Sequence, residues 1–292
     1  MAQYSIDQFS NITGLNKILI RTWENRYSFL DPMRTNTNIR YYDDEMLTKG
    51  IKYSILIENG HKISKIVKYE NTEVNNLIEE ILRISKDKET INSIYISKLV
   101  ESALFFDQKL FNDTYDLLTK ELSVIEFYKD VLMMAMSKIS ILYLNSKITP
   151  ANEHFLSENI RIKISSEINN IKSISTNEKV WILFLPENEY HDIGLLFAHL
   201  ILKKHDHKVI YLGQNTPRES LLQFSNKNHN FLCFINAMKI KNFSDKLCIF
   251  LNDFSKSNIY LVERNDTINK KYKNITSVSD IDKFISFTLN TH

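Results

Sequence analysis

Apolar and polar positions along the chain fall into three successive rhythms. Between residues 5 and 69 the apolar residues recur at three-to-four spacing in short bursts, each closed by a turn residue. Ser5 is placed to cap a helix carrying Ile6, Phe9 and Ile12, and Gly14 supplies the turn behind it. A second helix is predicted from about Asn16 to Tyr27, with Ile20, Trp23 and Tyr27 on its inner face. Helix, glycine turn, helix is the helix-turn-helix arrangement. Pro32 then breaks the pattern and Met33 to Tyr42 is polar and extended. Two further helices are predicted, Asp44 to Asn59 and Lys62 to Tyr69, with Gly60 as the stop between them.

From residue 73 to about 173 the chain has no glycine and its apolar stripes keep helical spacing. They run through Val74, Leu77 and Ile81, then Leu99, Ala103 and Phe106, then Phe111, Tyr115 and Leu118, and on from Val124 to Leu144. Thr149 and Pro150 signal the start of a last helix reaching about Ile174, so this stretch reads as an antiparallel helical bundle. Beyond Lys179 the rhythm changes. Short apolar runs, Val180 to Leu185, Val209 to Leu212, Phe231 to Ile235 and Asn258 to Val262, alternate with amphipathic stretches. Continuous apolar strands between helices predict a parallel sheet covered on both faces, an α/β domain of Rossmann-like layout. The polar link from Ser173 to Lys179 is the best boundary between the two. The expected architecture is multi-domain: an all-α helix-turn-helix head at residues 1–75, a helical bundle at 76–175, and a Rossmann-like α/β domain at 176–292.

Composition narrows the picture. A net charge of +2 is nearly balanced, so any nucleic-acid-binding patch must be local. Five glycines leave no room for a dinucleotide fingerprint or a Walker loop. Cys233 and Cys248 lie in apolar runs without metal-ligand spacing and read as buried thiols of a reducing cytosol. No apolar run approaches a membrane span, and the first ten residues lack a signal-peptide pattern, so the expected location is cytoplasmic, with no membrane partner.

On the predicted second helix, Lys17, Arg21, Thr22, Asn25 and Arg26 stay outside or at the flank, and the next segment adds Arg34, Thr35, Asn38, Arg40 and Tyr41. These types reach phosphates and base edges. Charge alone reads this equally well as a solvated face with scattered arginines. The string Ile20-Arg21-Thr22-Trp23-Glu24-Asn25-Arg26-Tyr27, with Leu30, Pro32, Arg34-Thr35 and Asn38-Ile39-Arg40-Tyr41-Tyr42-Asp43, resembles the signature of MerR-family heads. The resemblance implies that the helix Lys17–Tyr27 enters the major groove of a double-stranded operator, that Met33–Tyr42 forms a wing, and that the chain acts as a homo-oligomer. It also implies core positions for Trp23 and Tyr27, and a Glu24 that orients arginine side chains.

The order of parts resembles one branch of that family, which includes light-responsive repressors of carotenoid genes and carries a bundle and a cobalamin-binding domain behind the head. Glu189-Tyr190-His191-Asp192-Ile193-Gly194, directly after the first strand, is similar to the branch's (D/E)xHxxG loop. By that resemblance His191 is the lower ligand of the cobalt, Glu189 holds its other ring nitrogen, and Gly194 lets the next helix approach. Taken without it, a histidine at a strand end is more often structural. Glu153-His154, with an aromatic Tyr143 ten residues before the glutamate, is similar to the residues that cover the upper face of the corrin; on its own the pair reads as a polar helix start. His205 and His207 read as a helix C-terminus, not as a zinc site.

The likeness breaks at the slot for the cofactor's nucleotide tail. The branch has a serine after the third strand and a glycine pair after the fourth, where this chain has Asn236-Ala237-Met238 and Glu263-Arg264-Asn265. Side chains where a ligand should meet backbone imply that cobalamin binding is weak, altered or lost. The expected function is a non-enzymatic transcription regulator whose C-terminal half senses or once sensed cobalamin. Two rivals stand beside it: a corrinoid carrier of a methyltransferase system, which has no use for Lys17 to Tyr42, and a ligand-independent regulator whose C-terminal half binds protein.

Overall fold

Ser5 opens the first helix, α1 (Ile6–Thr13), with a reciprocal capping box: the Gln8 amide donates to the Ser5 hydroxyl, and the Ser5 amide donates to the Gln8 side chain. Gly14 ends it at φ 78°, a left-handed turn that glycine adopts without strain. Asn16 caps α2 (Lys17–Tyr27), and a two-stranded antiparallel hairpin follows, β1 (Met33–Arg34) with β2 (Arg40–Tyr41). Asp43 caps α3 (Asp44–Glu58). The computed structural model describes residues 3–144, 148–172, 179–235, 241–263, 273–278 and 283–286.

The next helix, α4, covers Ile63–Ile66 where sequence predicts Lys62 to Tyr69. Lys62 brings no side-chain cap, the amides of Lys68 and Tyr69 bond three residues back, and the Ile66 carbonyl takes the Tyr53 hydroxyl at 3.1 Å. The core of this region is aromatic. Phe29 sits between Trp23 (5.7 Å, edge-on) and Tyr53 (5.2 Å), and Phe9 lies 4.5 Å from Tyr42. Ile20 and Trp23 are buried as expected, whereas Tyr27 is half-buried at the end of α2.

The helical stretch contains α5 (Asn71–Ile84), α6 (Lys88–Phe105) and α7 (Gln108–Glu121). Then α8 (Val124–Glu126) runs through a π-helical segment, Phe127–Leu132, into α9 (Met133–Leu144). The last helix, α10 (Pro150–Asn170), begins at the expected proline and stops short of the expected Ile174, where the Ile171 amide tightens onto the Ile168 carbonyl. Asn152 on α10 donates to the carbonyls of Ala103 and Leu104 at 3.0 and 3.2 Å, satisfying groups that the end of α6 leaves unpaired. By its internal contacts the chain divides into two compact units, Met1–Glu158 and Asn159–His292.

The second unit is built on a five-stranded sheet. Its elements are β3 (Val180–Pro186), α11 (Ile193–Lys204), β4 (Lys208–Thr216), a 3-10 turn at Arg218–Phe224, β5 (His229–Ile235), α12 (Lys241–Asn252), β6 (Asn258–Glu263) and β7 (Ile275–Val278). All pairings are parallel, in the order β4-β3-β5-β6-β7. One face buries Ile182, Phe184, Phe231, Cys233, Ile259 and Leu261 against Leu247, Cys248 and Leu251 of α12. On the other, Trp181 stacks on Tyr260 at 5.1 Å. Both cysteines are buried thiols, as the sequence predicts, and burial pushes the Cys233 thiol up. The chain leaves β3 toward β4 on one side and returns to β5 on the other. That reversal is the topological switch point, and ligands bind parallel sheets outside the carboxyl ends of the strands there.

Candidate nucleic-acid interface and ligand loop

Burying Ile20 and Trp23 fixes which side of α2 meets the core, and the opposite side carries the predicted contact residues. Lys17, Arg21, Asn25 and Arg26 are exposed and Thr22 is half-exposed. The helix has one carboxylate, Glu24, and it is turned inward with 5% of its side chain exposed. There it accepts the Tyr42 hydroxyl at 2.5 Å and stands 3.2 Å from Arg40 Nε. Burial and the bond to Glu24 both push the Tyr42 phenol well above its ordinary range, so it stays a neutral donor. Glu24 thus ties α2 to the segment that carries Arg40 and Tyr42.

The hairpin is held internally as well. Asn38 takes a left-handed φ of 63°, and its side-chain oxygen accepts from Arg34 Nη1 at 2.8 Å. The Thr35 hydroxyl accepts the Ile39 amide at 3.1 Å. Thr35 and Asn38, both predicted contacts, therefore shape the wing, while Arg34 remains exposed and Arg40 and Tyr41 half-exposed. A further link joins the segments: Tyr4 and Tyr42 exchange backbone bonds at 2.8 and 2.9 Å, and Tyr4 donates its hydroxyl to Asp44 at 2.6 Å.

In the second unit the loop after β3 is organised by a buried carboxylate. Glu189 is 4% exposed, and its Oε1 accepts the amides of Tyr190 and His191, each at 2.9 Å, and His191 Nδ1 at 2.6 Å. Burial alone would raise this carboxyl; the His191 amide, the His191 ring and the Tyr190 amide together hold it below its ordinary value. An ionised carboxylate only accepts, so Nδ1 carries the hydrogen of that bond, and in a neutral ring Nε2 would be the nitrogen left for a metal. The ring is 76% exposed. These residues fit the lower-ligand role.

Residues beyond the sequence expectation brace the loop. The Asn188 amide donates to the Asn215 side chain at 2.9 Å, the Asn215 amide donates to the Glu189 carbonyl at 3.1 Å, and Gln214 donates to the Tyr190 carbonyl at 2.8 Å. Asp192, next to the histidine, is clamped by Arg161 of α10 through Nη2 at 2.7 Å and Nε at 3.1 Å. Gly194 lies in the first turn of α11. Tyr143 is exposed near the end of α9, and Glu153 and His154 stand early in α10, His154 Nε2 3.7 Å from Glu153 Oε2 with the imidazole 70% exposed. Among the other histidines, His205 caps α11 through Nδ1 at 2.8 Å from the Ile201 carbonyl and His207 is buried. The tail-slot positions 236–238, 264 and 265 lie outside the described residues, as does the side chain of Glu263. No helix among the described residues is long and apolar enough to cross a membrane.

A capped helix with a β-hairpin behind it, ahead of a helical stretch and a parallel sheet, sets the class: a MerR-type helix-turn-helix domain at the N-terminus and a C-terminal half with the fold of cobalamin-binding domains. Residues 4–73 match the family described as MerR HTH family regulatory protein. The chain is similar to the HTH-type transcriptional repressor CarH of Myxococcus xanthus, 27% identical over 220 residues, which cover 75% of this chain and 73% of that protein. It is also similar to the repressor CarA of the same organism, 22% identical over 223 residues, 74% of this chain and 70% of that one. In fold it matches the monomethylamine corrinoid protein of Methanosarcina barkeri, with a TM-score of 0.56 at 12% identity, covering 69% of this chain and 100% of that one.

Proposed function

We propose that this chain regulates transcription by seating α2 in the major groove of a double-stranded operator, with the β1–β2 hairpin over the adjacent backbone, and that its second unit takes a corrinoid at the His191 loop. The observation that carries the first half is the one-sidedness of α2: Ile20 and Trp23 buried, Glu24 turned in, Arg21, Asn25 and Arg26 turned out. Bidentate donors on such a face match base edges and phosphates. A homo-oligomer would place two such heads on a repeated site. In this reading residues 1–75 bind DNA, 76–175 form the cap-like bundle and 176–292 the sensor.

The second half rests on Glu189 and His191. His191 Nε2 is the atom that would hold the cobalt from its lower face, and a bound corrinoid would supply a ligand-dependent signal. Tyr143, Glu153 and His154 are the chain's candidates for the upper face. Asn236, Glu263 and Arg264 stand where the tail slot calls for small residues, so the expected affinity is low. The corrinoid-carrier reading is favoured by the fold likeness alone and leaves the α2 face without a purpose.

The test has two arms on the full chain. Duplex binding should fall steeply with salt as counterions are released, and Arg21→Ala or Arg40→Ala should each weaken an operator by about 1–3 kcal/mol. Salt-independent or absent duplex binding would remove the regulator reading. Titration with cobalamin in the dark should shift the visible spectrum, and His191→Ala should remove that shift while His199, His205 and His207 substitutions leave it. No spectral change in the unmodified chain would leave a ligand-independent regulator.

A further inference from the structure

Ile18, Arg21, Thr22 and Asn25 lie at i, i+3, i+4 and i+7 of α2, one face of the helix. Three of them are types that reach bases; the fourth is an isoleucine left 73% exposed in the first turn, with Leu19 beside it 45% exposed. Scattered apolar side chains on a surface need no explanation. These two are set apart by their surroundings, because the polar groups of the same turn are already committed. Lys17 pairs with Asp7, the Asn16 side-chain oxygen accepts the Ile18 amide at 2.8 Å, and the Thr22 hydroxyl donates to the Ile18 carbonyl at 2.8 Å. The first turn therefore presents hydrocarbon, and hydrogen-bond donors begin with Arg21 and Asn25.

The occupant of this face is indicated by charge. Arg21 and Arg26, further along the helix, are exposed, and the helix's carboxylate is turned inward, so the face suits a polyanion. In a recognition helix the N-terminal residues meet the base edges. The apolar group that a standard base pair shows in the major groove is the thymine C5-methyl. We infer that Ile18, flanked by Leu19, reads thymine methyls, so that each half-site carries thymine where the first turn of α2 enters, next to the base pairs met by Arg21 and Asn25. This inference rests on the operator-binding reading and adds the sequence class of the operator.

The experiment starts from a random duplex library selected with the full chain. The recovered site is then remade with uracil at one thymine at a time, which removes the methyl and nothing else. At one or two positions per half-site the unmodified chain should lose about fourfold in affinity, the worth of one buried methyl group. Ile18→Ala should bind the thymine duplex as weakly as the unmodified chain binds the uracil duplex, and should lose its sensitivity to uracil. Its salt dependence should not change, since no phosphate contact is removed. Ile18 is exposed, so the variant should melt with the unmodified chain. Equal binding to thymine and uracil duplexes, or equal uracil sensitivity in Ile18→Ala, would overturn the inference while leaving operator binding intact. Failure to enrich any sequence would overturn operator reading itself. Unchanged duplex affinity together with dissociation of an oligomer by Ile18→Ser would assign the patch to a second copy of the chain.

Discussion

Gly50 lies in the middle of α3, where glycine costs a helix about 1 kcal/mol relative to alanine. On propensity alone Gly50→Ala stabilises. The packing says otherwise. A β-carbon at Gly50 would fall 2.4 Å from Phe9 Cζ, 3.0 Å from Phe9 Cε1 and 2.9 Å from Thr13 Cγ2. Carbon atoms in good contact sit about 3.5–4.0 Å apart, so the overlap with Phe9 exceeds 1 Å or so. Neither neighbour is free to swing away. Phe9 is fully buried against Tyr42, and the Thr13 hydroxyl is bonded to the Phe9 carbonyl at 2.8 Å and to the Leu15 amide at 3.2 Å. Overpacking of this kind costs about 1–3 kcal/mol, and two clashes on opposed groups place it toward the upper end. After the propensity gain, Gly50→Ala should destabilise by about 1–2 kcal/mol, a drop in Tm of roughly 2–8 °C. The chain has two tryptophans, so a Trp181→Phe background lets Trp23 fluorescence report the head alone in urea or heat. In a Phe9→Leu background the penalty should shrink, because the nearest clashing atom is gone. A Gly50→Ala chain that melts at or above the unmodified one would refute the reasoning.

Trp23→Ala should destabilise the head by about 3–5 kcal/mol, as for other buried aromatics; unchanged melting with a loss of duplex affinity alone would mean that Trp23 faces DNA. Glu189→Gln keeps the shape of the side chain but removes the charged acceptor of three hydrogens. It should abolish any His191-dependent cobalamin spectrum without unfolding the sheet, and an unaltered spectrum would show that Nδ1 needs no carboxylate. His199, stacked on Tyr211 at 5.1 Å, is pushed down to about 4 by burial and by Lys203, from an ordinary value of 6.5. Between those values the unfolded chain binds more protons. The stability it contributes is thus complete above pH 6.5, is lost as pH falls toward 4, and levels off below. The difference in melting temperature between the unmodified chain and His199→Phe, which keeps an aromatic stack, should change across that window; a flat difference would sink this account.

Elements announced by local chemistry were legible in the sequence. Ser5, Gly14 and Pro150 mark helix ends that the structure reproduces, because caps act within a few residues. Misreadings came where one signal has two physical outcomes. Gly213 reads as the end of a strand after Leu212, yet β4 bends through it at φ 79° with shifted register and keeps pairing to Thr216. The strand β7 is too short and too polar to stand out before its neighbour pairs with it. At the sites, residue types and spacing pointed to Arg21, Asn25 and His191. His191 is held by Glu189 two residues before it, but the pairs that brace the surrounding segments are distant in sequence: Glu24 with Arg40 and Tyr42, Asn188 with Asn215, and Asp192 with Arg161. Pairings across such separations leave no periodic trace.

Glu189 has one more consequence. Two backbone amides and an imidazole converge on one of its oxygens, and side chains at the end of β4 brace the same loop. The loop is therefore already in the shape in which it would meet a metal, with no ligand needed to mould it. A ligand shifts an equilibrium only through a difference in its affinity for two states. A loop that kept this arrangement with a guest in place would have no second state to offer. It would be an anvil, and any switching would have to come from elsewhere in the chain.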